Sequence, residues 1–494
     1  MRVGKELRLP VTLVFICLPL FLMVNQAAAA DPWSAAYSRD GGKLFWLLHI
    51  SDTHIGAIWH KENQRFERFL TDAVPVIEPA MIINTGDLCE GALAGVPASG
   101  QSQAEWRHYR SLLDLNGMTV DDYLDLPGNH DAYGDKGMTH YQRWSLNGDT
   151  FGVLSRGLML SFSFGNYYIY GISTPGDDGR IFFEKPGLSL DEMADARSNL
   201  LQNDDADLIF VFGHHHLGEF DRSQPLVETL NRHDAFYFHG HRHRHSTYLY
   251  NDVLVGEVSS LGKKSEQNVA VIAVDNNALT YVAADNEDPW PLIVITAPAQ
   301  AKLSGGKKHP YYYEVCSRGI ENPVRALVFD TEDVEQVVFT VGSYGPYPMV
   351  QDRDEQRLWH GTWNATGLLE EEVLLTVQAV GGQVREASRV VMLADVPCPA
   401  PLQIPDDGET LEEEDPSRDG NAGDSEAKSQ ESAELDVEQE SVIKMPLLET
   451  DGGSEADDGS EADDGAGKTP ACDCRVAGRG SSPLSFLSLA VQIL

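Results

Sequence analysis

Apolar residues in the first half of this chain fall into short runs, and the polar residues that close those runs are of few kinds. Leu44–Ile50 (LFWLLHI) is a continuous apolar run of the sort carried by a strand buried on both faces, and Ser51-Asp52-Thr53-His54 follows it. Residues 63–78 mix charged and apolar positions at helical spacing. Ala80–Asn84 reads as a second strand closed by Thr85-Gly86-Asp87. Residues 101–120 can form a helix, and Tyr123–Leu126 is a short strand ending in Pro127-Gly128-Asn129-His130-Asp131. The alternation continues with a strand at Asn166–Ile172 and a helix at Leu190–Gln202, for which Ser189 is the expected N-cap. Asp207–Phe212 is a strand ending in Gly213-His214-His215-His216, and Ala235–Phe238 one ending in His239-Gly240-His241-Arg242-His243. Residues 267–284 read as a closing hairpin with its turn at Asp275-Asn276-Asn277. Five strands thus deliver Asp, Asn or His at the same relative end, where ligands collect in α/β sheets.

The pattern then changes. Five short apolar strands, at 290–298, 323–329, 336–341, 373–379 and 389–393, are separated by turn residues and show no helical period. That spacing predicts a β-sandwich of about 100 residues. Beyond it the apolar signal disappears. Residues 406–468 hold 23 Asp and Glu against 4 Lys and Arg, about half of the formal net charge of −39. This segment, with its Gly-Ser-Glu-Ala-Asp-Asp repeat at 453–458 and 459–464, reads as a disordered acidic linker. It lacks the residue order of a calcium loop.

Charge and cysteine usage narrow the class. The rest of the chain is mildly acidic and has no basic stripe, so nucleic-acid binding through bulk charge is excluded. Arg2, Lys5 and Arg8, the apolar run Val11–Val24 and Ala28-Ala29-Ala30 read as an export signal. Export implies an oxidising compartment, periplasmic, cell-surface or secreted, in which Cys316 and Cys398 could pair.

The chemistry lies in the strand-end residues. Asp52, His54, Asp87, Asn129, His130, His214, His241 and His243 combine hard oxygen donors with imidazoles, a mixture suited to Mn, Fe or Zn. A carboxylate such as Asp87 can bridge two ions, and such a pair can clamp both oxygens of an in-line displacement at phosphorus.

Asp52-x-His54, Gly86-Asp87, Gly128-Asn129-His130-Asp131, Val211-x-x-His214 and Gly240-His241-x-His243, in that order, resemble the motif series of the calcineurin-like metallophosphoesterases. The resemblance covers about residues 44–285. It implies a two-sheet αββα sandwich and two divalent or trivalent ions (Mn, Fe or Zn). Asp52, His54, Asp87 and His243 would hold the first ion, and Asp87, Asn129, His214 and His241 the second. His130 would protonate the leaving oxygen, Asp131 would hold the His130 tautomer, and a metal-bound hydroxide would attack. Purple acid phosphatases, a related branch, carry a Tyr where Glu90 stands, so a tyrosinate–iron centre is not expected. A phosphoesterase domain followed by an immunoglobulin-like sandwich is similar to the eukaryotic membrane-protein branch of the superfamily. His215, His216, His239 and His245 are taken as supporting or surface residues, and Arg242 and Arg244 as a solvated loop.

The expected organisation is therefore a signal peptide at 1–30 and a metallophosphoesterase domain at 31–288. An all-β immunoglobulin-like sandwich at 289–396, an acidic linker at 397–470 and a short apolar tail with Cys472 and Cys474 at 471–494 follow. The tail is similar to myxobacterial sorting tails, with a glycolipid-anchor signal as the rival reading, and it is the candidate for cell-surface association. The expected function is hydrolysis of phosphate mono- or diesters of a phosphorylated small molecule. The alternatives are a non-catalytic binding protein on the same scaffold and a phosphoprotein phosphatase.

Overall fold

The computed structural model describes residues 43–56, 60–135, 137–175, 186–263, 267–286, 290–299, 314–368 and 372–394, all within one compact unit, Met1–Asp407. The expected signal peptide, acidic linker and C-terminal tail lie outside the described residues, as does Cys398.

Strand β1 (Leu44–Ile50) is buried along its whole length, as its unbroken apolar run predicts. It pairs in parallel with β2 (Ile82–Asn84), and β2 in parallel with β3 (Tyr123–Asp125). The second sheet is built from β4 (Arg156–Phe162), β5 (Gly165–Gly171), β6 (Leu208–Phe212), β7 (Phe236–His239), β8 (Ser246–Tyr250) and β9 (Val253–Glu257), in the order β4-β5-β6-β7-β9-β8. The hairpin β10 (Val269–Asp275) and β11 (Ala278–Ala284) returns to the first sheet and completes it as β11-β10-β1-β2-β3.

The two sheets lie face to face, and the period of two along the strands divides their side chains between layers. In β6, Leu208, Phe210 and Phe212 enter the core shared with β1, while Ile209 and Val211 face outward. In β7, Phe236 and Phe238 face inward and Tyr237 outward. The outward face of this sheet is covered by helices Leu190–Gln202 and Gln224–Arg232 through Met193, Ala196, Leu200, Leu226, Val227 and Leu230. The first sheet is covered by residues of helices His60–Arg68 and Gln103–Leu115, among them Phe66, Trp106 and Tyr109. The result is a mixed α/β fold of four layers. Ser189 caps its helix as expected: its side chain accepts from Glu192 N while the Glu192 carboxylate accepts from Ser189 N.

Three strands of the second sheet have no counterpart in the sequence pattern. β4 and β8 are edge strands whose residues are partly exposed, and β9 is a short run directly after a polar stretch. Edge strands need no continuous apolar run, so they leave a weak signal.

Beyond the hairpin come β12 (Leu292–Ala297), β13 (Glu314–Cys316), β14 (Asn322–Phe329), β15 (Gln336–Val341), β16 (Tyr344–Pro348), β17 (Val350–Gln351), β18 (Leu358–Trp363), β19 (Glu372–Val380) and β20 (Val384–Ala394). They form two sheets, β12-β14-β18-β17 and β13-β20-β19-β15-β16, around a core that includes Ile293, Val324, Phe339, Trp363 and Val377. The opposite faces of β12, β14 and β18 join the core of the first sheet through Leu292, Val294, Leu327, Phe329 and Leu358. A buried ion pair reinforces this seam. The Asp275 carboxylate accepts from Arg325 Nε at 2.8 Å and from Thr296 Oγ1 at 2.6 Å. Cys316 is disulfide-bonded, to a partner outside the described residues, and Cys89 is a buried free thiol.

Removing Arg325 leaves Asp275 buried with a single side-chain donor from the sandwich. Arg325→Met is expected to lower unfolding free energy by about 3–5 kcal/mol. Urea denaturation compared with the wild type measures it.

Candidate metal centre

The candidate residues converge where the C-terminal ends of the two sheets meet. Asp52 and His54 follow β1, Asp87 follows β2 and Asn129 and His130 follow β3. From the other sheet, His214 follows β6, and His241 and His243 follow β7. Backbone hydrogen bonds tie neighbouring turns together: Asp52 N to Gly86 O (2.8 Å), His54 N to Asp87 O (2.9 Å) and Gly240 N to His214 O (3.2 Å). The carboxylates tie them further. Asp52 Oδ2 accepts from His241 N across the two sheets at 2.9 Å, and Asp87 Oδ1 accepts from His130 N at 2.8 Å.

Such close approach explains two of the motif glycines. A Cβ on Gly128 would sit 2.2 Å from Asp87 Oδ1, and one on Gly240 would sit 1.9 Å from Ser51 Oγ and 2.5 Å from Asp52 Oδ2. Any side chain there would push a candidate ligand out of place. The backbone of the ligands is itself unusual. Asp52 (φ 56°), His54 (47°), Asp87 (50°), His241 (70°) and His243 (52°) all occupy the left-handed region. Each such residue costs about 1–3 kcal/mol and persists only where its surroundings over-determine it.

The side chains form two overlapping groups. In the first, His243 Nε2 lies 3.0 Å from Asp52 Oδ1 and 3.3 Å from His54 Nε2, and His54 Nε2 lies 3.7 Å from Asp52 Oδ1. In the second, His214 Nε2 lies 3.0 Å from Asn129 Oδ1 and 3.2 Å from His241 Nδ1. Asp87 Oδ2 stands between them, 3.9 Å from His54 Nε2 and 3.3 Å from His214 Nε2. Nitrogen and oxygen atoms of imidazole, carboxylate and amide therefore converge from both sheets within 3.0–3.9 Å of one another. Such a donor set could hold a cation. The triads Asp52–His54–His243 and Asp52–Asp87–His214 each place their ligand atoms within 4.8 Å of one another.

Electrostatics agree with an acidic pocket. Burial alone would lower the pKa of His54, but Asp52, Glu90 and Asp87 outweigh it and hold the ring up to about 9. The same contest, decided by Asp87 and Asp52, puts His214 at about 9. Asp87 is held well below the usual carboxylate range: burial opposes this, and the charges of His214 and His130 prevail. His241, by contrast, is lowered to about 4, by burial first and then by the charge of His214.

His130 sits at the same opening, with Nε2 3.9 Å from Asp87 Oδ2. Its Nδ1–H donates to the Glu90 carbonyl at 2.8 Å, which fixes the ring and leaves Nε2 facing the site. Asp131 does not perform the role expected of it. Its carboxylate accepts from the backbone N–H groups of Leu88 (3.1 Å), Cys89 (3.1 Å) and Gly128 (2.8 Å), stapling two loops together, and the Glu90 carbonyl takes the place beside His130. Adjacency in sequence suggested a contact that the turn at Gly128–Ala132 directs elsewhere.

The loop arginines also depart from expectation. Arg242 makes a bidentate pair with the buried Glu257 at 2.9 and 2.8 Å, and Arg244 reaches the same carboxylate at 3.2 Å. Ser246 Oγ adds a bond at 2.8 Å. Glu257 thus anchors the loop that carries His241 and His243, a role with no sequence signal because a lone Glu at a strand end is ordinary. Of the other histidines, His215 is buried against the ring of His241 and its Nδ1 lies 2.8 Å from Thr174 Oγ1. His239 bridges Gly240 O and Tyr248 OH, His216 Nδ1 accepts from Gly218 N, and His245 stacks on Tyr281.

Residues 45–245 match the model of the calcineurin-like phosphoesterase family. Among curated proteins, Transmembrane protein 62 of Mus musculus is 24% identical over 296 residues, covering 56% of this chain and 44% of that protein. An Arabidopsis thaliana protein, provisionally named a metallophosphoesterase, is 22% identical over 411 residues, covering 69% of this chain and 55% of its own length. The chain thus spans about half the length of these relatives. A solved Staphylococcus aureus structure, provisionally a 5'-nucleotidase in complex with α-ketoglutarate, shares 14% identity. It covers 49% of this chain and 53% of its own at a TM-score of 0.33, a likeness too loose to carry an argument. Among the described residues no helix is long and apolar enough to cross a membrane. Residues 45–245 are thus similar to a calcineurin-like phosphoesterase domain, and their strand-end His and Asp groups are the part that could bind metal.

Imidazole binds a metal only when neutral. Below about pH 9 the ion-free site holds protons on His54 and His214, and an incoming cation must expel them. Affinity for a divalent ion is therefore expected to climb between pH 7 and 9 and to level off above that. At pH 7, loading should release close to two protons. Calorimetric titration in buffers of different ionisation enthalpy counts them, and an affinity independent of pH over this interval would contradict the reading.

Proposed function

We propose that this chain is an exported, dinuclear metal-dependent phosphoesterase acting on a phosphorylated small molecule. The observation that carries the proposal is the position of Asp87, whose Oδ2 lies between two groups of nitrogen and oxygen donors that have no other common purpose. Asp52, His54, Asp87 and His243 would hold one ion, and Asp87, Asn129, His214 and His241 the other. Bound there, such ions supply charge neutralisation for a phosphoryl group and a water acidic enough to attack it near neutral pH.

The chain's own residues supply the rest. Asp87 Oδ1 and the His130 backbone fix the turn after β3, so the His130 ring enters the site at a set height. With Nδ1–H committed to Glu90 O, only Nε2 can exchange a proton with substrate. Burial lowers the pKa of His130, and the Asp87 charge offsets this only in part. A phosphate anion beside Nε2 adds to the second influence and favours the protonated ring, which can then donate to the leaving oxygen. Asn129 is oriented by its own amide: Nδ2 donates to Tyr133 OH at 2.6 Å, so Oδ1 is the atom presented to His214. Export is supported by residues 1–30 and by the disulfide at Cys316, which fits an oxidising compartment.

The full chain loaded with Mn is expected to hydrolyse an aryl phosphate mono- or diester. His130→Ala should lower kcat by about 100-fold or more with metal content unchanged, whereas Asp87→Ala should lose both metal and turnover. Metal analysis beside steady-state kinetics separates the two. A wild type that retains metal without turnover on either ester class favours a non-catalytic role for the scaffold.

A further inference from the structure

Glu90, three residues past Asp87, is buried beside the first group of donors, and its Oε2 lies 3.1 Å from His54 Nδ1. Among the described residues Glu90 is the group that this nitrogen faces. The other side of Glu90 Oε2 is taken by Lys263 Nζ at 2.7 Å. Lys263 closes a turn that packs on the first motif from the far end of the domain. Leu261 N donates to Ser51 O (3.0 Å), and Gly262 N (3.0 Å) and Ser260 Oγ (2.9 Å) both donate to Asp52 O. Ser260 Oγ accepts in turn from Lys263 N at 3.0 Å. A Cβ on Gly262 would meet Thr53 O at 2.1 Å, so the two turns touch backbone to backbone. This turn lies beyond residue 245, where the family match ends.

We propose that Glu90, held by Lys263, is a positioning residue for His54, and that the Ser259–Lys263 turn is a sixth block of the metal centre. The inference rests on the dinuclear reading above. An imidazole can offer either nitrogen, and a carboxylate at Nδ1 selects the tautomer with hydrogen there and the lone pair at Nε2. His54 Nε2 is the atom that faces His243 and Asp52. Lys263 keeps the Glu90 carboxylate on the Nδ1 side, where it cannot turn inward and compete as a ligand. His214 is supported differently, by donation from Nδ1 to the neutral Thr85 carbonyl at 2.9 Å. The two groups of donors therefore differ in the basicity that their surroundings lend to histidine.

The test is calorimetric titration of Mn²⁺ into the full chain, stripped of metal by chelation, for wild type, Glu90→Gln, Lys263→Met and Lys263→Arg. Glu90→Gln is expected to weaken binding by about 10- to 100-fold, with the melting temperature of the metal-free protein unchanged. Lys263→Met should show a smaller loss that Lys263→Arg restores. Equal affinity in wild type and Glu90→Gln overturns the inference while leaving the dinuclear reading intact. A wild type that binds no ion overturns both. Should Glu90→Gln fail to fold, the Lys263 pair decides: a loss in Lys263→Met that Lys263→Arg does not repair removes the proposed role of the charge.

Discussion

Two carboxylates, each with its oxygens facing in different directions, are what the site depends on. Asp52 gives Oδ2 to the His241 backbone in the opposite sheet and turns Oδ1 toward His243. Asp87 gives Oδ1 to the His130 backbone and turns Oδ2 toward His54 and His214. One oxygen of each fixes the loop that carries a partner, and the other joins that partner at the centre. The donor set and the loop framework are therefore a single hydrogen-bonded object. Loss of either carboxylate removes a candidate ligand and releases the loop that positions the next one.

This explains why so much backbone strain collects there. Five candidate ligands lie in the left-handed region, and motif glycines stand where a methyl group would displace Ser51, Asp52 or Asp87. Strain of this size needs a rigid surrounding. It is provided by strands buried on both faces and by the interdigitated aromatic layers of β6 and β7 against β1. The seam with the sandwich adds a second support, since Trp46 of β1 packs edge-on against Phe329 of β14.

The ligand-bearing strand ends were legible in the sequence for a simple reason. A strand buried on both faces leaves an unbroken apolar run, and an abrupt change to Asp, Asn or His marks where it stops. β1, the β10–β11 hairpin and helix Leu190–Gln202 with its Ser189 cap follow from such signals. What was not legible depends on partners distant in sequence or on the direction a turn takes. Glu90 meets Lys263 across 173 positions. Glu257 acquires meaning only from Arg242 and Arg244 on a neighbouring loop. Asp131 sits next to His130 in the chain, yet its carboxylate points at the N–H groups of residues 88, 89 and 128. Edge strands β4 and β8 escaped because half-exposed positions carry no obligation to be apolar.

The cations bordering the motifs show how the charge is divided. Arg242 and Arg244 are bound to Glu257, and Lys263 to Glu90. Each neutralises a carboxylate that positions a histidine or its loop, and a phosphate would have to break a charge-assisted pair to recruit one of them. Within this set, positive charge serves architecture. In the ion-free centre the charges of Asp52 and Asp87 are balanced by protons on His54 and His214, so the site offers no excess positive charge until cations replace those protons. Under the proposed function, the same carboxylates that make His54 and His214 hold protons in the empty centre would make phosphate recognition conditional on cations being bound.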